Sequence, residues 1–140
     1  MLFTPNKTKQ KSHRPRLKRR IYKNILYPSL LSGVIGLKAM SFNFLTPKQL
    51  STIRTIINKN IKKCGTLKFF IFPNVGLTSK PEASRMGKGK GKIESWAYRI
   101  QPGCVICEIN TPSIIKSIKA LKQAQYKLPV ATKIILNLFK

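Results

Sequence analysis

Three carboxylates, Glu82, Glu94 and Glu108, stand against 28 lysines and arginines, with no aspartate, and the formal net charge is +25. Self-repulsion on that scale opposes a compact state, so such a chain is expected to fold beside a polyanion that neutralises it. RNA, DNA and an anionic membrane are the candidates. The same shortage limits chemistry. Paired carboxylates for acid/base catalysis or a magnesium site are scarcely available. The one histidine, His13, lies in the most charged stretch of the chain, and the missing aspartate excludes a Ser-His-Asp arrangement. No catalytic residue and no cofactor are expected.

At 140 residues a single domain with a modest core is expected. The best apolar run, Leu30 to Leu37, is interrupted by Ser32 and Gly33 and closed by Lys38. It falls far short of the ~20 residues that a membrane span requires. Cys64, Cys104 and Cys107 are odd in number and point to reduced thiols. Cys104-Val-Ile-Cys107 has the spacing of half a zinc site, but no second half exists. The pair reads as small apolar positions beginning a strand, and no metal is expected.

Residues 1–24 hold Lys7, Lys9, Lys11, Arg14, Arg16, Lys18, Arg19, Arg20 and Lys23, no acid, and two interrupting prolines, Pro5 and Pro15. Alone in water this extension is expected to be disordered, and to order on phosphates as each cation releases counterions. A cleavable presequence is disfavoured, because too few apolar residues precede Ile21 to make an amphipathic face. Residues 25–140 then form the folded domain.

Within it, Thr46-Pro47-Lys48-Gln49 carries a capping box with proline at the first helical position. Leu50, Ile53, Ile57 and Ile61 follow at helical spacing, and Gly65 supplies the stop. Arg54, Lys59, Lys62 and Lys63 take the other surface, where plain solvation and an RNA-facing role are equally open. Leu67 to Phe72 reads as a buried strand whose Phe69, Phe70 and Phe72 could stack bases but are better read as core. A long loop spans residues 73–92. Ser95–Gln101 and Val105–Ile109 are expected to pair as an antiparallel hairpin across Pro102-Gly103. Pro112-Ser113 opens a second helix with Ile114, Ile115, Ile118 and Leu121 as its core face and Lys116, Lys119 and Lys122 off it. Val130 to Phe139 returns as a last strand. Two helices on one antiparallel or mixed sheet make an α+β sandwich.

The stretch Arg85-Met86-Gly87-Lys88-Gly89-Lys90-Gly91-Lys92 alternates glycine with lysine. Glycine lets a backbone take positive φ and approach a ligand closely, while lysine projects charge from a chain with no core to hold it. A dinucleotide fingerprint fails because Gly91 comes two residues after Gly89 rather than three, and a P-loop fails because Ile93 follows Lys92. A basic, adaptable loop for nucleic acid remains, beside the plainer alternative of a low-complexity linker.

Lys80-Pro81, the Arg85 to Gly91 string, Trp96, Pro102-Gly103 and Glu108 together resemble the L-sixteen family of large-subunit ribosomal proteins. Met1-Leu2 with Lys7-Thr8-Lys9, Gly36-Leu37-Lys38-Ala39, Leu45-Thr46, Phe72-Pro73 and Lys127-Leu128-Pro129 extend the resemblance over nearly the whole chain. The resemblance implies a structural protein, not an enzyme, seated on large-subunit rRNA near the peptidyl transferase centre and the aminoacyl-tRNA site. It places Lys7, Lys9, Lys11 and Arg14 in rRNA, Arg54 where the family's first helix keeps an arginine, and Arg85 through Gly91 toward tRNA. Implied partners are rRNA, tRNA and neighbouring ribosomal proteins, with no membrane and no second copy of the chain. Ser41-Phe42-Asn43-Phe44 departs from the glycine and arginine that bacterial members tend to carry there, and Thr55 replaces a second helical arginine; the aromatics are open to stacking on RNA or packing on a neighbouring protein. The pattern begins within a few residues of Met1, and a chain heavy in Ile, Lys, Asn and Phe looks organelle-encoded. A mitochondrial matrix is expected, with plastid or bacterial cytoplasm as alternatives. Two other classes could use the same charge: a membrane-surface or polyanion scaffold, which would need a basic amphipathic helix with large exposed apolar residues, and a DNA-compacting protein.

Overall fold

A capping box opens the first helix of the computed structural model, which describes residues 3–5, 12–13 (backbone only), 30, 33–61, 64–83, 87 and 89–137. The Thr46 N–H donates to Gln49 Oε1 at 2.9 Å and the Gln49 N–H donates to Thr46 Oγ1 at 3.4 Å, satisfying two donors that a helix start leaves over. Helix α1 runs Pro47–Ile61 and buries Leu50, Ile53, Ile57 and Ile61, the face that the spacing marks out. Gly65 is not in a left-handed conformation: a Cβ there would stand 2.7 Å from the Asn110 carbonyl oxygen. Close approach of two backbone segments, rather than a left-handed cap, demands glycine. Lys62 and Lys63 lie outside the described residues.

Among the described residues eight strands accompany two helices: β1 (Ser12–His13), β2 (Ile35–Ala39), β3 (Asn43–Leu45), β4 (Thr66–Phe69), β5 (Val75–Thr78), β6 (Ile93–Ile100), β7 (Val105–Asn110) and β8 (Thr132–Leu136), with α2 (Ile114–Gln125) before the last. The α+β class holds, but the strands make two sheets rather than one, in the orders β1-β5-β6-β3 and β4-β7-β2-β8. All pairs are antiparallel except the short β1–β5 pair. In the second sheet Phe69, Cys107, Leu37 and Ile134 fall in one cross-strand row. That row belongs to the core with the buried face of α1 and with Leu121 and Ala124 of α2.

The expected hairpin does not form. The turn at Pro102-Gly103 is present, with the Cys104 N–H donating to the Gln101 carbonyl at 3.2 Å. It hands the chain from one sheet to the other: β6 pairs with β3 and β5, whereas β7 pairs with β2 and β4. The physical reason lies at 35–45, where β2 and β3 offer each strand a better partner than the other. The Ala39 N–H bonds to the Cys104 carbonyl and the Gly103 N–H to the Ala39 carbonyl at 2.7 Å, tying the turn to β2.

Helix α2 keeps Ile118 and Leu121 of its expected core face inward but not Ile114 and Ile115. Ser117, Ala120, Leu121 and Ala124 are buried and Ile118 is partly covered, while Ile114 and Ile115 are exposed, Ile115 by 83%. Small residues on that face let α2 lie close against α1, and Asn60 Nδ2 bridges the pair to Gln123 Oε1 at 2.9 Å. Ser117 is buried at no cost in unmade bonds, since its hydroxyl donates to the Ser113 carbonyl at 3.0 Å.

The run expected as a buried strand is an edge strand instead. From Thr66 to Phe72 exposure alternates, and Phe70 and Phe72 face solvent while Phe69 and Ile71 turn inward. Near the N-terminus, Phe3 is buried, its ring meeting Phe69 edge-on at 5.4 Å, and the backbone at 12–13 pairs with Gly76 and Leu77. Phe3 and the backbone at 12–13 thus contact the folded domain.

Candidate nucleic-acid interface

The region expected as loop from 73 to 92 contains a strand that reading overlooked. β5 pairs with β6 through Val75↔Ala97, Gly76↔Trp96 and Leu77↔Ser95, so residues 79–92 form the connection of a β-hairpin. The Ser79 N–H donates to the Lys92 carbonyl at 3.3 Å and holds the two arms together at the root. Gly91 sits where the arms press closest. A Cβ on it would lie 2.0 Å from the Ser79 carbonyl oxygen, a distance no backbone tolerates.

Further out the requirement changes. Gly87 and Gly89 have φ of 92° and 77°, with no atom within 4 Å of an added Cβ, and the Gly89 N–H bonds to the Gly87 carbonyl at 3.0 Å. Open space combined with left-handed backbone leaves peptide groups accessible to a ligand's oxygens, as in anion-binding nests. Lys90 and Lys92 are exposed beside them. The arms enclose a cleft of about 640 Å³ walled by Lys80, Lys90 and Lys92 together with Glu82 and Glu94. Two of the chain's three carboxylates thus stand at the loop's root and none at its described tip.

The third carboxylate is structural. Glu108 is buried, accepts the Gly33 N–H at 2.9 Å, and lies opposite Lys68 and Gly36 in the sheet register. Of the cysteines, Cys107 is buried, Cys104 half-buried and Cys64 exposed. Burial pushes the Cys107 thiol up to about 12, the neighbouring Glu108 charge adding to it and a bond from the Leu37 backbone opposing it. Cys104 is raised by burial too, against an opposing hydrogen bond from Tyr98. Both thiols are held protonated, the reverse of what a zinc ligand needs.

Of the other candidate residues, Arg54 is half-buried on α1, which packs on α2 and β4, a different layer from the β5–β6 hairpin. Arg54 and the loop are therefore separate elements of surface. Lys7, Lys9, Lys11, Arg14, Arg16, Lys18, Arg19 and Arg20 lie outside the described residues, as do Arg85, Met86 and Lys88. Phe42 is engaged within the chain: the Arg99 guanidinium carbon stands 5.0 Å from its ring centroid, and Phe44 meets it edge-on at 6.2 Å. Sequence reasoning missed that arrangement because Arg99 reaches it only through the β3–β6 pairing, in which it faces Phe44.

Residues 5–135 match the family described as Ribosomal protein L16p/L10e. The chain is 42% identical over 135 residues to the large ribosomal subunit protein uL16c of Euglena longa, covering 96% of this chain and 98% of that one. It is 40% identical over 139 residues to uL16 of Sphingopyxis alaskensis, covering 98% and 94%. To uL16c of Cyanidium caldarium it is 36% identical over 137 residues, covering 97% and 96%.

Proposed function

The chain belongs to the Ribosomal protein L16p/L10e family and is a structural constituent of the large ribosomal subunit, not an enzyme; from that premise we propose that it grips rRNA through phosphate contacts and offers its glycine-lysine loop to tRNA at the aminoacyl site. Large-subunit rRNA and neighbouring ribosomal proteins are its partners. The observation that carries the finer reading is the loop tip: left-handed glycines in open space beside exposed lysines, on a hairpin whose root is locked. Such a tip has every means of approaching a phosphate closely.

On this reading the basic extension, with Lys7, Lys9, Lys11, Arg14, Arg16, Lys18, Arg19 and Arg20, enters rRNA alongside β5, and Arg54 binds phosphate from α1. Arg85, Met86, Gly87, Lys88, Gly89, Lys90, Gly91 and Lys92 face tRNA and the rRNA beside it near the peptidyl transferase centre. One copy serves each particle. Relatives named uL16c and a bacterial uL16 support a ribosome of organelle or bacterial type. Within that range, the chain's wealth of Ile, Lys, Asn and Phe favours the mitochondrial matrix.

Sedimentation of a lysate tests the assignment. Ribonuclease treatment should release the chain from the heavy fraction while deoxyribonuclease leaves it there. Release by deoxyribonuclease alone, or by detergent, would assign it to DNA or to a membrane.

A further inference from the structure

The edge strand β4 and its continuation present a row that the loop does not explain. Thr66, Lys68, Phe70 and Phe72 are exposed at alternate positions, while Leu67, Phe69 and Ile71 turn toward the core. Phe70 still belongs to the ladder, its N–H donating to the Ile106 carbonyl at 3.2 Å, so the row is held on a fixed backbone. β4 is the outermost strand of its sheet, with nothing paired beyond it among the described residues.

The other phenylalanines among the described residues have ring partners. Phe69 meets Phe3, and Phe42 meets both Phe44 and the Arg99 guanidinium. Among the described residues Phe70 and Phe72 meet no ring, and they are 41% and 44% exposed. A phenylalanine side chain offers about 200 Å², so about 170 Å² of aromatic surface stands open. A stable protein partner requires about 800 Å² per side. Two planar bases require much less, and the nearest exposed charge along the row is a lysine rather than an acid.

We propose that Phe70 and Phe72 form a stacking edge for two unpaired bases of the rRNA, with Lys68 facing the adjoining phosphates. This rests on the RNA-binding reading above but uses a surface separate from the glycine-lysine loop. Alternate positions on a strand are about 6.8 Å apart, so each ring can take its own base. Stacking of this kind tolerates any base, because every base has a π-face.

The test uses the full-length chain and two RNAs about twelve nucleotides long, within the usual site size. One has a mixed unpaired sequence, and the other has the same backbone without bases. Wild-type chain should bind the base-bearing RNA at least about 30-fold more tightly. The pair Phe70→Leu and Phe72→Leu should lose that margin and keep its affinity for the abasic RNA, whereas the pair Phe70→Tyr and Phe72→Tyr should retain the margin. Equal losses on both RNAs, or no loss on either, would overturn the stacking edge. If wild-type chain binds both RNAs equally well, phosphate binding stands and the stacking edge falls; if it binds neither, both fall.

Discussion

Replacing Gly91 with alanine probes how the loop is held. The added Cβ would lie 2.0 Å from the Ser79 carbonyl oxygen and 2.7 Å from its carbon. Both are backbone atoms, so no side chain can swing away, and the arms must separate. Separation breaks the 3.3 Å bond between the Ser79 N–H and the Lys92 carbonyl. That loss contributes about 0.5–1.5 kcal/mol. The backbone shift adds about 1–3 kcal/mol, limited from above because the hairpin end can open rather than stay strained. A total near 2–3 kcal/mol should lower the midpoint of thermal unfolding by about 6–12 °C in a chain of this size. Gly89→Ala is the control: it meets no atom within 4 Å and bears only the cost of a φ of 77°, about 1–2 kcal/mol. Differential scanning calorimetry on both variants should place Gly91→Ala below Gly89→Ala. An unchanged midpoint for Gly91→Ala, or a larger loss for Gly89→Ala, would refute the locked root.

Two further outcomes follow from charge and burial. RNA affinity should fall roughly a thousandfold between about 50 and 200 mM salt, because phosphate contacts release counterions; a nearly flat titration would contradict phosphate-dominated binding. In alkali, Cys107 is raised by burial to about 12 in the folded chain, so its contribution is complete below the unfolded thiol's pKa and is lost as pH climbs from there toward 12. Stability should hold level to about pH 8.5 and then decline, by up to about 1.4 kcal/mol per pH unit from this thiol, with a shallower decline in Cys107→Ala. Denaturant titrations across that range measure it, and equal slopes in both proteins would count against a buried thiol.

What the sequence makes legible is what local physics decides. Thr46, Pro47 and Gln49 specify a helix start from four consecutive residues, and Leu50, Ile53, Ile57 and Ile61 state its buried face. The glycine-lysine alternation likewise announces an open basic loop without any tertiary information. Elsewhere the deciding partner is distant. Pro102-Gly103 looks like the tip of a hairpin because its flanks are both strands, yet β2 and β3, some sixty residues earlier, divide those flanks between two sheets. Counting large apolar residues assigns Ile114 and Ile115 to the core, whereas close packing of α2 on α1 selects Ser117, Ala120 and Ala124. Phe70 and Phe72 sit in a run so apolar that burial seems dictated, and only the edge position of β4 exposes them.

The most direct test of the account separates folding from function at the loop. Replacing Arg85, Lys88 and Lys90 with alanine removes three cations, and the nearby tip glycines stand in open space with no core neighbour. Surface changes of that kind shift stability by less than about 0.5 kcal/mol each, so thermal unfolding should stay close to wild type and large subunits should still incorporate the chain. If the loop engages phosphates, each charge-assisted contact removed weakens binding by roughly tenfold. Aminoacyl-tRNA binding to ribosomes carrying the triple variant should therefore drop by about tenfold or more, measured at equilibrium on particles of verified composition. Wild-type tRNA affinity in those particles would reduce the loop to a linker and contradict the role proposed for Arg85 through Lys92.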